Sequence, residues 1–205
     1  MPRVRSPFDA MYEGSEPPWE IGRPQPAIAE LFDLGRVHGR VVDLGCGTGD
    51  TTVLATERGY DALGIDASRI AIERARAKAL ARGSTARFVT GDALHLEKLG
   101  ETFDTAIDCG LFHSLTDAGH EAYVASLATS LRIGATLHVL CFSDEEPNWG
   151  GPRRITEEML RSVFSERFAI ERLERARFES LLSSDGAHAW RVSVVYLGRV
   201  ASLDN

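Results

Sequence analysis

The chain lacks what would direct it to a nucleic acid, a membrane or an oxidising compartment. Lys and Arg number 23 against 30 Asp and Glu, for a net charge of −7. Affinity for phosphate backbones comes from clustered Lys and Arg. Here the basic residues are scattered through helix-like runs such as Arg69-Ile70-Ala71-Ile72-Glu73-Arg74-Ala75-Arg76, the pattern of a solvated face. No nucleic-acid partner is expected. No run of about 18 apolar residues occurs, so no membrane span is expected. Met1-Pro2-Arg3-Val4-Arg5 leads into no apolar segment of the secretory kind. The three cysteines, Cys46, Cys109 and Cys141, are far apart and lack metal-ligand spacing, so they read as reduced thiols of a cytoplasmic protein. Asp144-Glu145-Glu146 offers the oxygens a hard cation wants. Consecutive residues seldom all converge on one ion, however, and no metal is expected.

What remains suits one globular domain over residues 1–205: 43% of the chain is hydrophobic, enough for a full core. After an aromatic but Pro- and Gly-interrupted arm at 1–23, strands and helices alternate. Helices are expected at 24–35, 51–58, 68–82, from Thr116 or Asp117 (with a stripe at Val124, Leu127, Ala128 and Leu131) and from Thr156. Strands are expected at 40–42, 61–65, 87–90, 103–108, 135–142, 168–173 and 189–197. Alternation of this kind predicts an α/β fold, a mainly parallel sheet with helices on both faces. In such sheets ligands bind beyond the carboxyl ends of the strands.

The first strand runs into Asp43-Leu44-Gly45-Cys46-Gly47-Thr48-Gly49-Asp50. Glycine at every second position strips a strand-to-helix turn of side chains, so a ligand can lie on the main chain with the helix amides facing it. A dinucleotide fingerprint needs G-x-G-x-x-G. Counting from Gly45 puts Asp50 at the sixth position, and counting from Gly47 puts Thr52 there, so the spacing argues against a nicotinamide oxidoreductase.

This stretch resembles motif I of the class I methyltransferases that use S-adenosylmethionine (SAM). Two later acids have the family's spacing: Asp66, which with Ala67 closes the second strand, and Asp92, followed by Ala93, which closes the third. The resemblance implies that Asp43, Gly45, Cys46, Gly47, Thr48 and Gly49 cradle the cofactor. It also implies that Asp66 and Ala67 meet the ribose, Asp92 and Ala93 the adenine, and Cys109 the end nearest the sulfur. The strand order it implies is 3-2-1-4-5-7-6, a Rossmann-like seven-stranded sheet. A carboxylate suits vicinal hydroxyls, although each acid could equally cap the helix that follows it. Pro17-Pro18-Trp19-Glu20-Ile21-Gly22-Arg23-Pro24-Gln25-Pro26 and Leu111-Phe112-His113-Ser114 are similar to segments of the small-molecule members, the thiopurine, halide/thiol and mycobacterial heterocyclic-toxin type. There the tryptophan helps enclose the methionyl end of SAM, and the later loop meets the acceptor.

The function expected on this basis is methyl transfer to O, N or S of a small aromatic, heterocyclic or apolar acceptor, leaving S-adenosylhomocysteine. A non-catalytic SAM-binding protein is the alternative. His113 is the candidate catalytic base, since imidazole titrates near 6.5, or else a wall of the pocket. Tyr12, Phe112, His113 and Trp149 are the expected acceptor contacts, and Trp149, beside Gly150 and Gly151, is a candidate lid. A monomer or a homodimer is expected.

Overall fold

The computed structural model describes residues 8–14 and 17–198. The parts of the arm at 1–7 and 15–16 therefore lie outside the described residues. Seven strands, β1 (Val41–Leu44), β2 (Ala62–Asp66), β3 (Arg87–Thr90), β4 (Phe103–Cys109), β5 (Leu131–Phe142), β6 (Phe168–Ser180) and β7 (Ser183–Tyr196), form one sheet. Around it lie α1 (Asp9–Tyr12), α2 (Pro26–Asp33), α3 (Asp50–Glu57), α4 (Arg69–Ala81), α5 (Asp117–Ser130) and α6 (Glu157–Phe164). The order is β3-β2-β1-β4-β5-β7-β6. Strands β1 to β5 pair in parallel, and β7 runs antiparallel to both β5 and β6. This is the expected Rossmann-like order.

Alternate residues of β1 serve opposite faces. Val41 packs with Ile28 and Leu31 of α2, whereas Val42 and Leu44 join Tyr123 and Leu127 of α5. By the same rule Asp43 lies on the α2–α3 face. One strand over, Asp108, in register with Leu44, lies on the α5 face. Helix starts are fixed by hydroxyl caps of the kind that contribute about 1 kcal/mol. Ser68 accepts from Ala71 N–H at 3.2 Å, and Thr116 and Thr156 accept at 3.1 Å from Gly119 and Met159.

Besides the short α1 within the arm, three elements differ from expectation. Leu131 opens β5 rather than closing α5. A 3₁₀ segment, Ala93–Leu99, follows β3. The largest difference is the β6–β7 hairpin, which extends through 174–188, where short strands were expected. Its far end reaches the arm and the start of α2: Leu181 N–H donates to Pro18 O at 2.8 Å, and Gln25 donates to the Glu179 carbonyl at 2.9 Å and accepts from its N–H at 2.8 Å.

Candidate active site

The carboxyl ends of β1, β2, β3 and β4 meet beneath the arm. Between β1 and α3 the chain turns through Gly47 and Gly49, with φ of 53° and 85°, a region that side chains rarely adopt. The bare faces have definite neighbours. A Cβ on Gly49 would stand 2.6 Å from Phe88 and 2.9 Å from Ala75, so this glycine lets α3 close onto β3 and α4. A Cβ on Gly47 would meet Glu20 at 2.7 Å and the Tyr12 hydroxyl at 3.2 Å. At Gly45 the neighbour is Leu111, at 3.2 Å.

Asp66 is fixed in place by the main chain. One oxygen accepts from Gly47 N–H at 2.9 Å and the other from Ser68 N–H at 2.7 Å, leaving one lone pair on each for a ligand. Burial, with the charges of Glu20 and Asp9 adding to it, raises its pKa. Asp92 is exposed at the end of β3 and accepts from Leu94 N–H at 2.9 Å, so it does cap the segment after it. Ala67 is exposed beyond Asp66, Ala93 is buried, and Cys46 and Cys109 are half-buried. Burial pushes both thiols well up, which keeps them protonated. A bare bend flanked by carboxylates fits a nucleoside that carries a positive sulfonium. It would fit a pyrophosphate poorly, because Lys78, which reaches Thr48 of the bend, is already paired with Asp50 at 2.5 Å.

Several expected contacts face elsewhere. Asp43 is only 2% exposed and accepts from the Thr52 hydroxyl at 2.6 Å, so it braces the bend from beneath. Burial, with Asp108 and Asp66 nearby, pushes its pKa up to about 7. Tyr12, expected at the acceptor, stands over Gly47 of the glycine-rich bend, and Trp19 Nε1–H donates to its hydroxyl at 3.2 Å. Phe112 turns into the core instead of the acceptor space. It is fully buried, stacked on His120 at 4.2 Å and on Phe164 at 5.6 Å, because its 3₁₀ turn sends consecutive side chains to different sides.

That turn is built on Asp108, whose Oδ1 accepts from Leu111 N–H at 2.9 Å and Phe112 N–H at 3.1 Å. Its Oδ2 accepts from the Tyr123 hydroxyl at 2.8 Å. The result holds His113 against Phe142 (ring centroids 4.5 Å apart) and Phe178 (5.8 Å). Phe178, on the hairpin extension, and Phe142 are site residues with no motif to announce them. Trp149 is 55% exposed, packs edge-on to Phe142 at 6.1 Å, and lies under the Arg154 guanidinium at 4.7 Å. The acids preceding it diverge: Asp144 and Glu145 onto Arg175, Glu146 onto Trp149 Nε1–H.

His113 decides what chemistry this wall can do. Its Nδ1 accepts from the buried Phe142 N–H at 3.0 Å, which places the imidazole proton on Nε2. Burial, with Arg154 adding to it, drops its pKa to about 3. The nitrogen beside Gly110, 3.6 Å from where a Cβ there would stand, is thus a donor. The expected base role does not fit this geometry: the basic lone pair is committed to the backbone.

Comparison with known proteins bears on the same elements. A family described as a methyltransferase domain matches residues 41–134, from β1 into β5. A 2-heptyl-1-hydroxyquinolin-4(1H)-one methyltransferase of Mycobacteroides abscessus is 36% identical over 180 residues, 83% of this chain and 79% of that protein. A probable thiol methyltransferase 2 of Arabidopsis thaliana is 28% identical over 152 residues, 73% of this chain and 67% of that one. One solved structure comes from work on the conversion of a disulfide bond into a thioacetal group during echinomycin biosynthesis. It matches with a TM-score of 0.85 at 34% identity, over 96% of this chain and 94% of that chain.

Proposed function

The chain belongs to the class I SAM-dependent methyltransferases that act on small molecules, and from that premise we propose that its acceptor is a flat aromatic or heterocyclic molecule that reaches the site already ionised. Oxygen, sulfur or nitrogen receives the methyl group. The observation that carries this reading is the Phe142 N–H bond to His113 Nδ1, which leaves a donor rather than a base at the acceptor wall. Other basic groups nearby are also committed: Asp108 accepts three hydrogen bonds and Asp43 is tied to Thr52. The relatives named for a hydroxyquinolone and for a thiol support the same reading, since both acceptors carry an acidic O–H or S–H.

When bound, SAM supplies a methyl group on a positive sulfur, which takes the electron pair of the breaking C–S bond as the nucleophile's pair forms the new bond. The protein's task is then alignment. On this reading Gly45, Cys46, Gly47, Thr48 and Gly49 hold the methionyl end beneath Trp19. Asp66 and Ala67 meet the ribose, Asp92 and Ala93 the adenine, and Cys109 lines the sulfur side. Phe142, Phe178 and Trp149 bound the acceptor's flat faces, and His113 Nε2–H donates to its anionic atom. The remaining expectations join the proposal: a single domain over 1–205 with the arm as lid, a cytoplasmic monomer or homodimer, and no nucleic-acid partner.

The test is methyl transfer from labelled SAM to thiols and phenols of graded acidity at pH 7.5. Rates that fall as acceptor pKa climbs from about 8.5, a thiol value, to about 10, a phenol value, are expected. Equal rates across that range would require a protein base and would end this reading.

A further inference from the structure

Glu20 is named by no motif, yet it makes the most direct link between the arm and the glycine-rich bend. One carboxylate oxygen accepts from Thr48 N–H at 3.3 Å, the other from the Thr48 hydroxyl, and Tyr12 O–H lies at 3.5 Å. Lys78 donates to the same Thr48 hydroxyl at 2.6 Å. With its lone pair so occupied, the hydroxyl's proton is directed at Glu20. Two donors of one residue thus converge on one carboxylate, and the missing side chain of Gly47 makes room for it. Around this point the rest of the arm settles. Trp19 bonds to Tyr12, Arg74 of α4 donates to the Tyr12 carbonyl at 2.5 Å, and the Ser68 hydroxyl, at the start of α4, donates to Asp9 at 2.7 Å.

The packing alone does not require an acid at position 20. Burial holds the Asp66 pKa up and the charge of Glu20 adds to it, so the two carboxylates repel at this point. A neutral side chain would close the arm without that repulsion. The arrangement gains when a cation lies between the two carboxylates, and SAM carries a sulfonium and an ammonium.

We propose that Glu20 is a cofactor-retaining residue, which docks the arm on Thr48 over bound SAM and sets how tightly and how long SAM is held. This rests on the assignment of SAM to the glycine-rich bend. Glu20 acts as a positioning residue, through the arm and through charge, and has no part in moving the methyl group.

Three proteins test this by calorimetric SAM titration, stopped-flow dissociation and amide exchange of residues 17–25 under saturating SAM: wild type, Glu20→Ala and Glu20→Gln. Loss of hydrogen bonds to a charged acceptor predicts SAM binding weaker by about ten- to a hundredfold in Glu20→Ala, with faster dissociation and faster exchange in the arm. Glu20→Gln keeps the shape and one acceptor and is expected between the two. Thr48→Val removes the hydroxyl and keeps the N–H. Combined with Glu20→Ala it is expected to add less than the sum of the single effects, because both break the same bond. Unchanged affinity in Glu20→Ala would overturn the proposal. Tighter binding would also overturn it, making Glu20 a competitor for the cofactor's place. Wild-type protein that fails to bind SAM would instead overturn the assignment of the bend itself.

Discussion

Replacing His113 by Asn separates the two roles an imidazole can play at this wall. The Asn carbonyl oxygen stands near the place of Nδ1, so Phe142 N–H keeps an acceptor, while the Nε2–H donor is lost. A hydrogen bond to a charged atom contributes about 1.5–3 kcal/mol. At about 1.4 kcal/mol per decade, kcat/KM for an ionised acceptor is expected to fall roughly ten- to a hundredfold. A lost general base would cost 10²–10⁴-fold by the usual scale, so the size of the effect overlaps and the pH dependence has to decide. The distance from 6.5 to about 3 makes protonation of His113 at pH 6.5 cost about 5 kcal/mol. It therefore stays neutral throughout pH 5–9. The expected profile of kcat/KM follows the acceptor's own ionisation in both proteins, with the variant displaced downward and unchanged in shape. The assay is labelled-methyl transfer to one thiol and one phenol across that range. A limb near pH 6–7 in the wild type, independent of the acceptor and absent from His113→Asn, would refute the argument and restore the base.

The buried carboxylates supply further tests. Tyr123→Phe removes the donor to Asp108 Oδ2, whose pKa burial holds up at about 6, and is expected to destabilise the fold by about 1–3 kcal/mol. A folded-state pKa above the unfolded one means that stability falls as pH rises through about 6. The loss in urea melts is therefore expected to be larger at pH 8 than at pH 5, and equal losses would contradict the assignment. Binding of a cation beside Asp66 and Asp43 favours their ionised forms. SAM binding is thus expected to release protons near pH 7 and to tighten from pH 6 to 8. Calorimetry in two buffers of different ionisation heat measures this, and a buffer-independent heat would contradict it. Asp66→Ala is expected to weaken SAM binding about tenfold or more while leaving the rate at saturation nearly intact, and retained affinity would mean that the ribose is held elsewhere.

Those tests fall on parts of the chain that were unequally legible. Strands β1, β2 and β4 and the glycine-rich bend were readable because buried parallel strands are short apolar runs, and the turn between β1 and α3 needs glycine where side chains would collide. The hairpin extension was not. One strand carries Glu174, Arg175, Arg177 and Glu179, and the other opens on a Ser183-Ser184-Asp185-Gly186 run that reads as loop. Glu174 pairs with Arg191, and Arg175 lies over the Trp190 ring, interactions that only the folded pairing brings together. Phe178 was lost with it.

The orientation of neighbouring residues was hidden for a different reason. Phe112 and His113 sit in a three-residue turn with no period to say which faces the core. In the arm, Tyr12 and Glu20 are separated by prolines and glycine, so nothing in the spacing shows that both close on Gly47. Of the two acids that the spacing left open as caps, Asp92 does cap the segment after it, whereas α4 is capped by Ser68 and Asp66 accepts the Ser68 N–H from outside the helix.

A crystal structure with S-adenosylhomocysteine bound tests the central claim most directly. The account predicts ribose hydroxyls on Asp66, the methionyl end against Gly45 and Thr48 beneath Trp19, and the thioether sulfur turned toward the Gly110–His113 turn with Nε2–H free to meet an acceptor. A ribose held away from Asp66, or a sulfur turned away from His113, would contradict it.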